Sequence, residues 1–310
     1  MSAPIATAPA KIILFGEHAV VHGQPAIAVP LGNLRARAEV EFGGKGLHIN
    51  ALDLNKVLPV DVNTELMDDA LTLTARMTLR ALDTTPPDAT IKVQSTIPMA
   101  SGLGSGAAVS AAIARAVASA VHTPLSDDDL NTLVYQIEKL YHGTPSGVDN
   151  TVIVYEKPVF FIREQPIETL HIHTPFTLVI ADTGKGALTR IAVEDVNGLV
   201  RNEPARIQPI IDEIGQIARD ARQAIETGNT PELGPLMNRN HALLRQLTVS
   251  SPELEALTRA AREAGALGAK LSGGGRGGNM IALVRPQDAQ AVQNALEDAG
   301  AARVFISEVT

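Results

Sequence analysis

The chain has 310 residues, 45% of them hydrophobic but only 3% aromatic and none tryptophan, so its core must be built from Ala, Val, Leu and Ile. A formal net charge of −8, with no basic run longer than two, excludes a general nucleic-acid-binding or anionic-membrane surface. The absence of cysteine removes disulfides, thiolate metal sites and a cysteine nucleophile, and suits a reducing compartment.

At roughly 100–200 residues per domain, the length fits two domains. The N-terminus lacks a basic segment ahead of an apolar stretch, and Ile12 to Phe15 is too short for a signal or a span. A soluble cytoplasmic protein is expected. Lys11 to Phe15 and Pro25 to Val29 are short β-branched runs, and Leu34 to Phe42 alternates apolar and polar residues as a half-buried strand does. A helical pattern follows at Val62 to Leu82, a strand at Ile91 to Ile97, and a helix from Gly104 to Val121. Ser126 with Asp127 to Asp129 opens another helix through Leu130, Leu133, Ile137 and Leu140. Thr151 to Tyr155 and Val159 to Ile162 read as strands, and Glu164 to Pro175 as a connection. The domain boundary is placed there, giving 1–173 and 174–310. The second half reads as a strand at Thr177 to Ala181 and helical patterns at Ile191 to Thr227, Pro231 to Leu247 and Pro252 to Ala266. It closes with a strand at Met280 to Val284, a helix at Pro286 to Ala299 and a strand at Arg303 to Val309. Strands and helices mixed without a repeating βαβ unit predict an α+β fold.

Four segments carry chemistry. Pro98 to Ala108, PMASGLGSGAA, enters an alanine-rich helix: Gly102, Gly104 and Gly106 let backbone approach an anion, Ser105 adds a hydroxyl, and the helix start adds N–H groups and its positive dipole end. Pro98, Ser101, Leu103 and Ala107 complete this candidate phosphate loop. The string also satisfies G-x-G-x-x-A, but four residues separate it from the preceding strand and a second helix follows the first, which disfavours a dinucleotide fold. No Walker A pattern occurs, and a plain Gly-rich turn is the bland alternative. Lys11 to Gly23 places charged and imidazole groups at the end of an apolar strand, where they need partners or solvent. His18 and His22 are four apart, yet the segment lacks the H-E-x-x-H glutamate, which sets zinc aside. Glu138 lies on a helix, and Asp149 follows the Gly/Pro loop of HGTPSGVDN just ahead of the expected strand, where it could aim into a cleft or simply be a turn residue. The glycine run after Lys270 is a flexible loop or a close approach.

In this order the segments resemble the GHMP superfamily, that of galactokinase, homoserine kinase, mevalonate kinase and phosphomevalonate kinase. Its three motifs fall at Ala8 to Leu31, Pro98 to Ala112 and Lys270 to Val284. GEHAVVHG and HGTPSGVDN are similar to the mevalonate kinase branch. The resemblance implies an N-terminal ATP-binding domain like the second domain of ribosomal protein S5 and a ferredoxin-like C-terminal domain. It also implies transfer of the ATP γ-phosphoryl group to the 5-hydroxyl of mevalonate with Mg²⁺, and a homodimer. By the same resemblance Asp149 is the catalytic base and Lys11 its cationic neighbour, Glu138 and Ser105 hold Mg²⁺, and Glu17, His18, Thr189 and Gly274 meet the substrate. Two departures stand out. Gly106 occupies the position where most members carry a Mg²⁺-binding serine, and Arg276 interrupts the last glycine run, where it could reach phosphate or point into solvent. Another kinase of the superfamily, or a non-catalytic nucleotide-binding homologue, is the alternative reading.

Overall fold

A computed structural model describes residues 4–64, 69–99, 101–142, 145–186 and 189–310. These form two compact units, one of the chain up to Ala10 with Gly32–Met99 and Gly104–Glu156, the other of Lys11–Leu31, Ala100–Leu103 and Lys157–Thr310. Strands β1 (Ile5–Phe15) and β2 (Ala26–Phe42) pair with each other, and each passes from one unit into the other.

The first unit adds β3 (Leu47–Ala51), β4 (Lys56–Pro59), α1 (Ala70–Ala81), β5 (Ala89–Ser95), α2 (Ser105–Ala120), α3 (Asp127–His142) and α4 (Val148–Tyr155). Its strands run in the order β4-β3-β5-β2, with β3 and β5 parallel and the other pairs antiparallel. The alternation read in β2 is real: Ala36, Ala38 and Val40 are buried while Arg37 and Glu41 are exposed. Helix α2 is the centre of this unit. Its buried side chains are mostly alanine, so α1, α3, α4 and β5 can all lie against it. Asp69 caps α1, accepting from the Leu71 amide at 2.8 Å, and Ser126 caps α3, accepting from the Asp129 amide at 3.1 Å.

Two expectations change here. Thr151 to Tyr155 is helix, not strand: Gly147, at φ 90, turns the chain into α4, and Val148, Thr151, Val152, Ile153 and Val154 are buried among neighbours that outweigh their β preference. The helix expected from Val62 begins only at Ala70, with residues 65–68 outside the described chain. Strand β3, Leu47-His48-Ile49-Asn50-Ala51, alternates apolar and polar residues and buries every second one, a strand signal that was not read from the sequence, whereas the mostly exposed β4 carries no such pattern.

The second unit adds β6 (Val159–Phe161), β7 (Glu168–Thr169), β8 (Phe176–Asp182), α5 (Thr189–Asn202), α6 (Pro204–Glu226), α7 (Leu233–Gln246), α8 (Pro252–Glu263), β9 (Gly268–Ser272), β10 (Asn279–Val284), α9 (Ala289–Asp298) and β11 (Arg303–Val309). Ile191 to Thr227 is two helices rather than one, because Pro204 starts a new one. The last four strands form an antiparallel sheet in the order β11-β8-β10-β9, a ferredoxin-like βαββαβ arrangement with extra helices in its first crossover. Helices α7 and α8 cover β9.

The α7–β9 contact depends on two glycines. A Cβ on Gly234 would stand 2.4 Å from the Leu267 carbonyl oxygen, and one on Gly268 2.2 Å from that of Gly234. Both clashes are with backbone, which cannot swing aside. Gly268→Ala should therefore cost about 3 kcal/mol, at the upper end of overpacking penalties. Urea unfolding measures it; an unchanged midpoint would mean that the helix and strand can separate freely.

Candidate active site

The second unit gathers one half of the expected site. Gly16 ends β1 at φ 94 with its Cα against the backbone of Pro25 and Ala26: an added Cβ would lie 2.3 Å from the Pro25 carbonyl oxygen. This closeness forces the chain to turn, and Glu17 and His18 enter the interior, His18 itself in the left-handed region at φ 61. Glu17 forms an ion pair with Lys270 of β9, and both side chains are wholly inaccessible to solvent. Lys270 Nζ also donates to the Leu271 carbonyl at 2.6 Å. Burial pushes the Glu17 carboxyl up, opposed first by the Lys270 charge and more weakly by that of Lys11, while burial pushes the Lys270 ammonium down.

His18 Nε2 donates to the Gly274 carbonyl at 3.0 Å, so Nδ1 is the acceptor nitrogen. Burial lowers the His18 imidazole to about 4, which keeps it neutral near pH 7. Glu17 Oε2 and His18 Nδ1 are buried without a hydrogen-bond partner among the described residues. Both are acceptors, so the site asks for hydroxyl or N–H donors. Thr189 belongs to the same cluster: a Cβ on Gly274 would lie 2.7 Å from its hydroxyl. Its neighbour Leu188 lies outside the described residues.

The first part of the glycine-rich loop is tied to this unit. The Lys11 amide donates to the Leu103 carbonyl at 3.0 Å, and Asn279 Nδ2 donates to the Ser101 carbonyl. Ser101 and Leu103 are buried, while Met99 is exposed beside Pro98 and Ala100 lies outside the described chain. Gly102 at φ 82 and Gly104 at φ 75 supply the left-handed turns that lead into α2. Gly104 is the N-cap residue and no side chain caps the helix, so its first turn of amides, with half-buried Ser105, exposed Gly106 and buried Ala107, offers backbone donors to an anion.

The first unit carries the remaining candidates. Glu138 sits half-buried on α3. Asp149, also half-buried, lies in the first turn of α4 instead of ahead of a strand. Asn150 Nδ2 donates to Asn131 Oδ1 at 2.6 Å, tying α4 to α3, and Thr151 Oγ1 donates to the Gly147 carbonyl at 2.7 Å. Gly143 and Thr144 of HGTPSGVDN lie outside the described residues.

Arg276 is tied down by neighbours within its own unit. Its guanidinium pairs with Asp195 of α5 and its Nε donates to the Thr248 carbonyl at 3.2 Å, pinning the glycine run. Sequence reasoning missed Lys270 as a functional candidate, treating it as the edge of a flexible loop. The only sequence signal was a lysine just ahead of the glycine run, at a place where no strand was expected.

The family model described as "GHMP kinases N terminal domain" matches residues 70–157, and "GHMP kinases C terminal" matches residues 221–302. A mevalonate kinase of Aeropyrum pernix is 36% identical over 90% of this chain and 88% of its own length. Among solved structures, the L. major mevalonate kinase in complex with R-mevalonate aligns with a TM-score of 0.86 at 30% identity, covering 99% of this chain and 96% of that one. The Methanococcus jannaschii mevalonate kinase aligns with a TM-score of 0.88 at 27% identity, covering 100% and 99%. The chain belongs to the GHMP kinases, a family of ATP-dependent small-molecule kinases. Within that family it falls on the mevalonate kinase branch.

The buried His18 has a consequence for acid stability. Its value in the folded chain, about 4, lies below the ordinary 6.5, so between those limits the unfolded chain binds the extra proton. The contribution is complete above about pH 6.5 and is lost as the pH falls through 6.5 towards 4, at about 1.4 kcal/mol per unit. Urea unfolding across this range should show a shallower acid loss for His18→Asn than for the parent. Parallel profiles would show that the imidazole takes up its proton without opening the fold.

Proposed function

We propose that this chain is an ATP-dependent kinase that phosphorylates the 5-hydroxyl of mevalonate. The observation that carries the substrate reading is the pair of buried acceptors, Glu17 Oε2 and His18 Nδ1, beside the tethered start of the glycine-rich loop. An alcohol fits two acceptors. A substrate that already bears phosphate would call for further cations, and among the described residues Lys185, Lys270 and Arg276 around the glycine run are each paired with a carboxylate. This favours mevalonate over phosphomevalonate.

In this reading Pro98, Ser101, Gly102, Leu103, Gly104, Ser105, Gly106 and Ala107 cradle the triphosphate, with the α2 amides as donors. Glu17, His18, Thr189 and Gly274 bind mevalonate. Asp149 takes the proton of the attacking hydroxyl, and Lys11 stabilises the developing alkoxide.

The donor set suits Mg²⁺, which holds one or two carboxylates, keeps water and relies on substrate phosphates. Glu138 would supply the carboxylate and Ser105 the hydroxyl. Exposed Gly106 has no side chain to offer, and among the described residues no cluster of three His, Cys, Asp or Glu forms a metal cage. When bound, Mg²⁺ would offset negative charge on the phosphate oxygens.

The division into 1–173 and 174–310 stands as a proposal: the family-model matches leave 173/174 between them, whereas the compact units cut the chain at 156/157 and join Lys11–Leu31 to its C-terminal part. A cytoplasmic homodimer completes the reading. Among the described residues no helix is long and apolar enough to cross a membrane.

A coupled ADP-release assay tests the substrate. Turnover with mevalonate is expected; turnover only with phosphomevalonate would overturn the reading. Asp149→Asn should lower kcat by a factor on the order of hundreds while ATP binding stays nearly intact. An unchanged kcat would remove Asp149 as the base.

A further inference from the structure

The described chain holds a buried lysine for which the proposed mechanism has no use. Lys270 lies in the middle of β9, flanked by Ala269 and Leu271 in the chain and paired across the ladder with Ile281 of β10. Its ammonium has two partners, the Glu17 carboxylate and the Leu271 carbonyl. We infer that Lys270 is a positioning residue for the alcohol substrate, holding Glu17 ionised with Oε1 engaged so that Oε2 is left to accept a substrate hydroxyl. This rests on the mevalonate reading above.

The geometry divides the two carboxylate oxygens between two tasks. Oε1 receives Lys270, whereas Oε2 is buried and unpartnered among the described residues. An ionised carboxylate in that place accepts a hydrogen bond and repels a second carboxylate, so it would meet a hydroxyl and turn away the acid end of the substrate. A protonated Glu17 would lose this discrimination, since its O–H could donate to either end.

Burial already pushes Glu17 upward, and Lys270 is the largest influence holding it down. The other influences holding Glu17 down are a hydrogen bond from its own backbone and, more weakly, the charge of Lys11 of β1; the adjacent His18 is neutral and itself feels His22 and Arg276. Without Lys270 the Glu17 proton would bind more tightly still.

Lys270 is itself braced from behind. His241 of α7 accepts from the Leu271 amide at Nδ1, 3.2 Å away, which leaves the proton on Nε2, 3.1 Å from Glu255 Oε1 of α8. Burial lowers His241 to about 4 against the pull of Glu255, so this link is neutral and adds no second cation beside Lys270 at neutral pH. It fixes the backbone of Leu271, whose carbonyl orients the ammonium.

Steady-state kinetics of the full chain between pH 6 and 9.5 test the inference. Lys270→Met should raise KM for mevalonate about tenfold or more at pH 7, leave KM for ATP within about twofold, and recover as the pH rises and Glu17 regains its charge. Loss of structure alone would raise both KM values together and show no such recovery; that outcome, or an unchanged KM, overturns the assignment. Because removing one member of a buried pair can prevent folding, Glu17→Gln and the double variant Glu17→Gln/Lys270→Met provide a second comparison. Equal mevalonate KM in these two supports Lys270 acting through Glu17, and a further rise in the double variant refutes it. Failure of the underlying substrate reading would look different, as absence of mevalonate turnover by the parent protein.

Discussion

Two opposite charges, those of Glu17 and Lys270, are sealed from water, and much of the second unit is arranged around keeping them together. Taking such groups out of water costs several kcal/mol per ion even after relaxation, and attraction offsets this only when geometry is good and remaining valences are met. Lys270 spends a donor on the Leu271 carbonyl, 2.6 Å away, whereas Glu17 leaves Oε2 unmet. Such an unmet valence is tolerable where a ligand completes it. The ion pair is therefore a weak source of stability, and its logic is that of a site.

Several features of the packing serve this contact. Gly16 permits the tight approach to Pro25 and Ala26 that turns Glu17 inward, and a bulkier residue would separate those backbones. Gly234 and Gly268 let α7 lie on β9 at backbone distance, bringing the His241 ring within hydrogen-bonding reach of the Leu271 amide. Ser272 Oγ donates to the Ile13 carbonyl at 2.8 Å and joins the end of β9 to β1 directly. Strand, helix and turn are thus registered to one another by short polar contacts, with the apolar core around them supplying the bulk of the burial.

The order of most elements and the glycine-rich turn into α2 are legible in the sequence because their signals are local. The alternation of β2 and the serine cap of α3 follow from a few neighbouring residues. The α4 segment misleads for the complementary reason: a β-branched string between Gly147 and Glu156 favours a strand locally, and only burial on several sides makes it a helix. Glu17 and His18 are reached through family resemblance, whereas Lys270 is not, since the reason for its burial lies 253 residues away at Glu17. No window of sequence contains both partners.

Arg276 shows how a departure from a family pattern can be structural in origin. A cation in a glycine run invites an electrostatic role, but its guanidinium is already engaged by Asp195 and the Thr248 carbonyl, and its amide donates to the Val249 carbonyl at 2.7 Å. With φ at 57 the residue also holds a left-handed conformation that glycine adopts at lower cost. Three anchors offset that cost and pin the middle of the run, while Gly274 accepts from His18 at one end and Asn279 holds the Ser101 carbonyl at the other. A segment tied at both ends and in the middle does not behave as a loose flap. The glycines are there for close approach, since a Cβ at Gly274 or Gly275 would collide with Thr189 or Val249, and Arg276 converts the flexibility they would otherwise bring into a fixed wall beside the two buried, unpartnered acceptors.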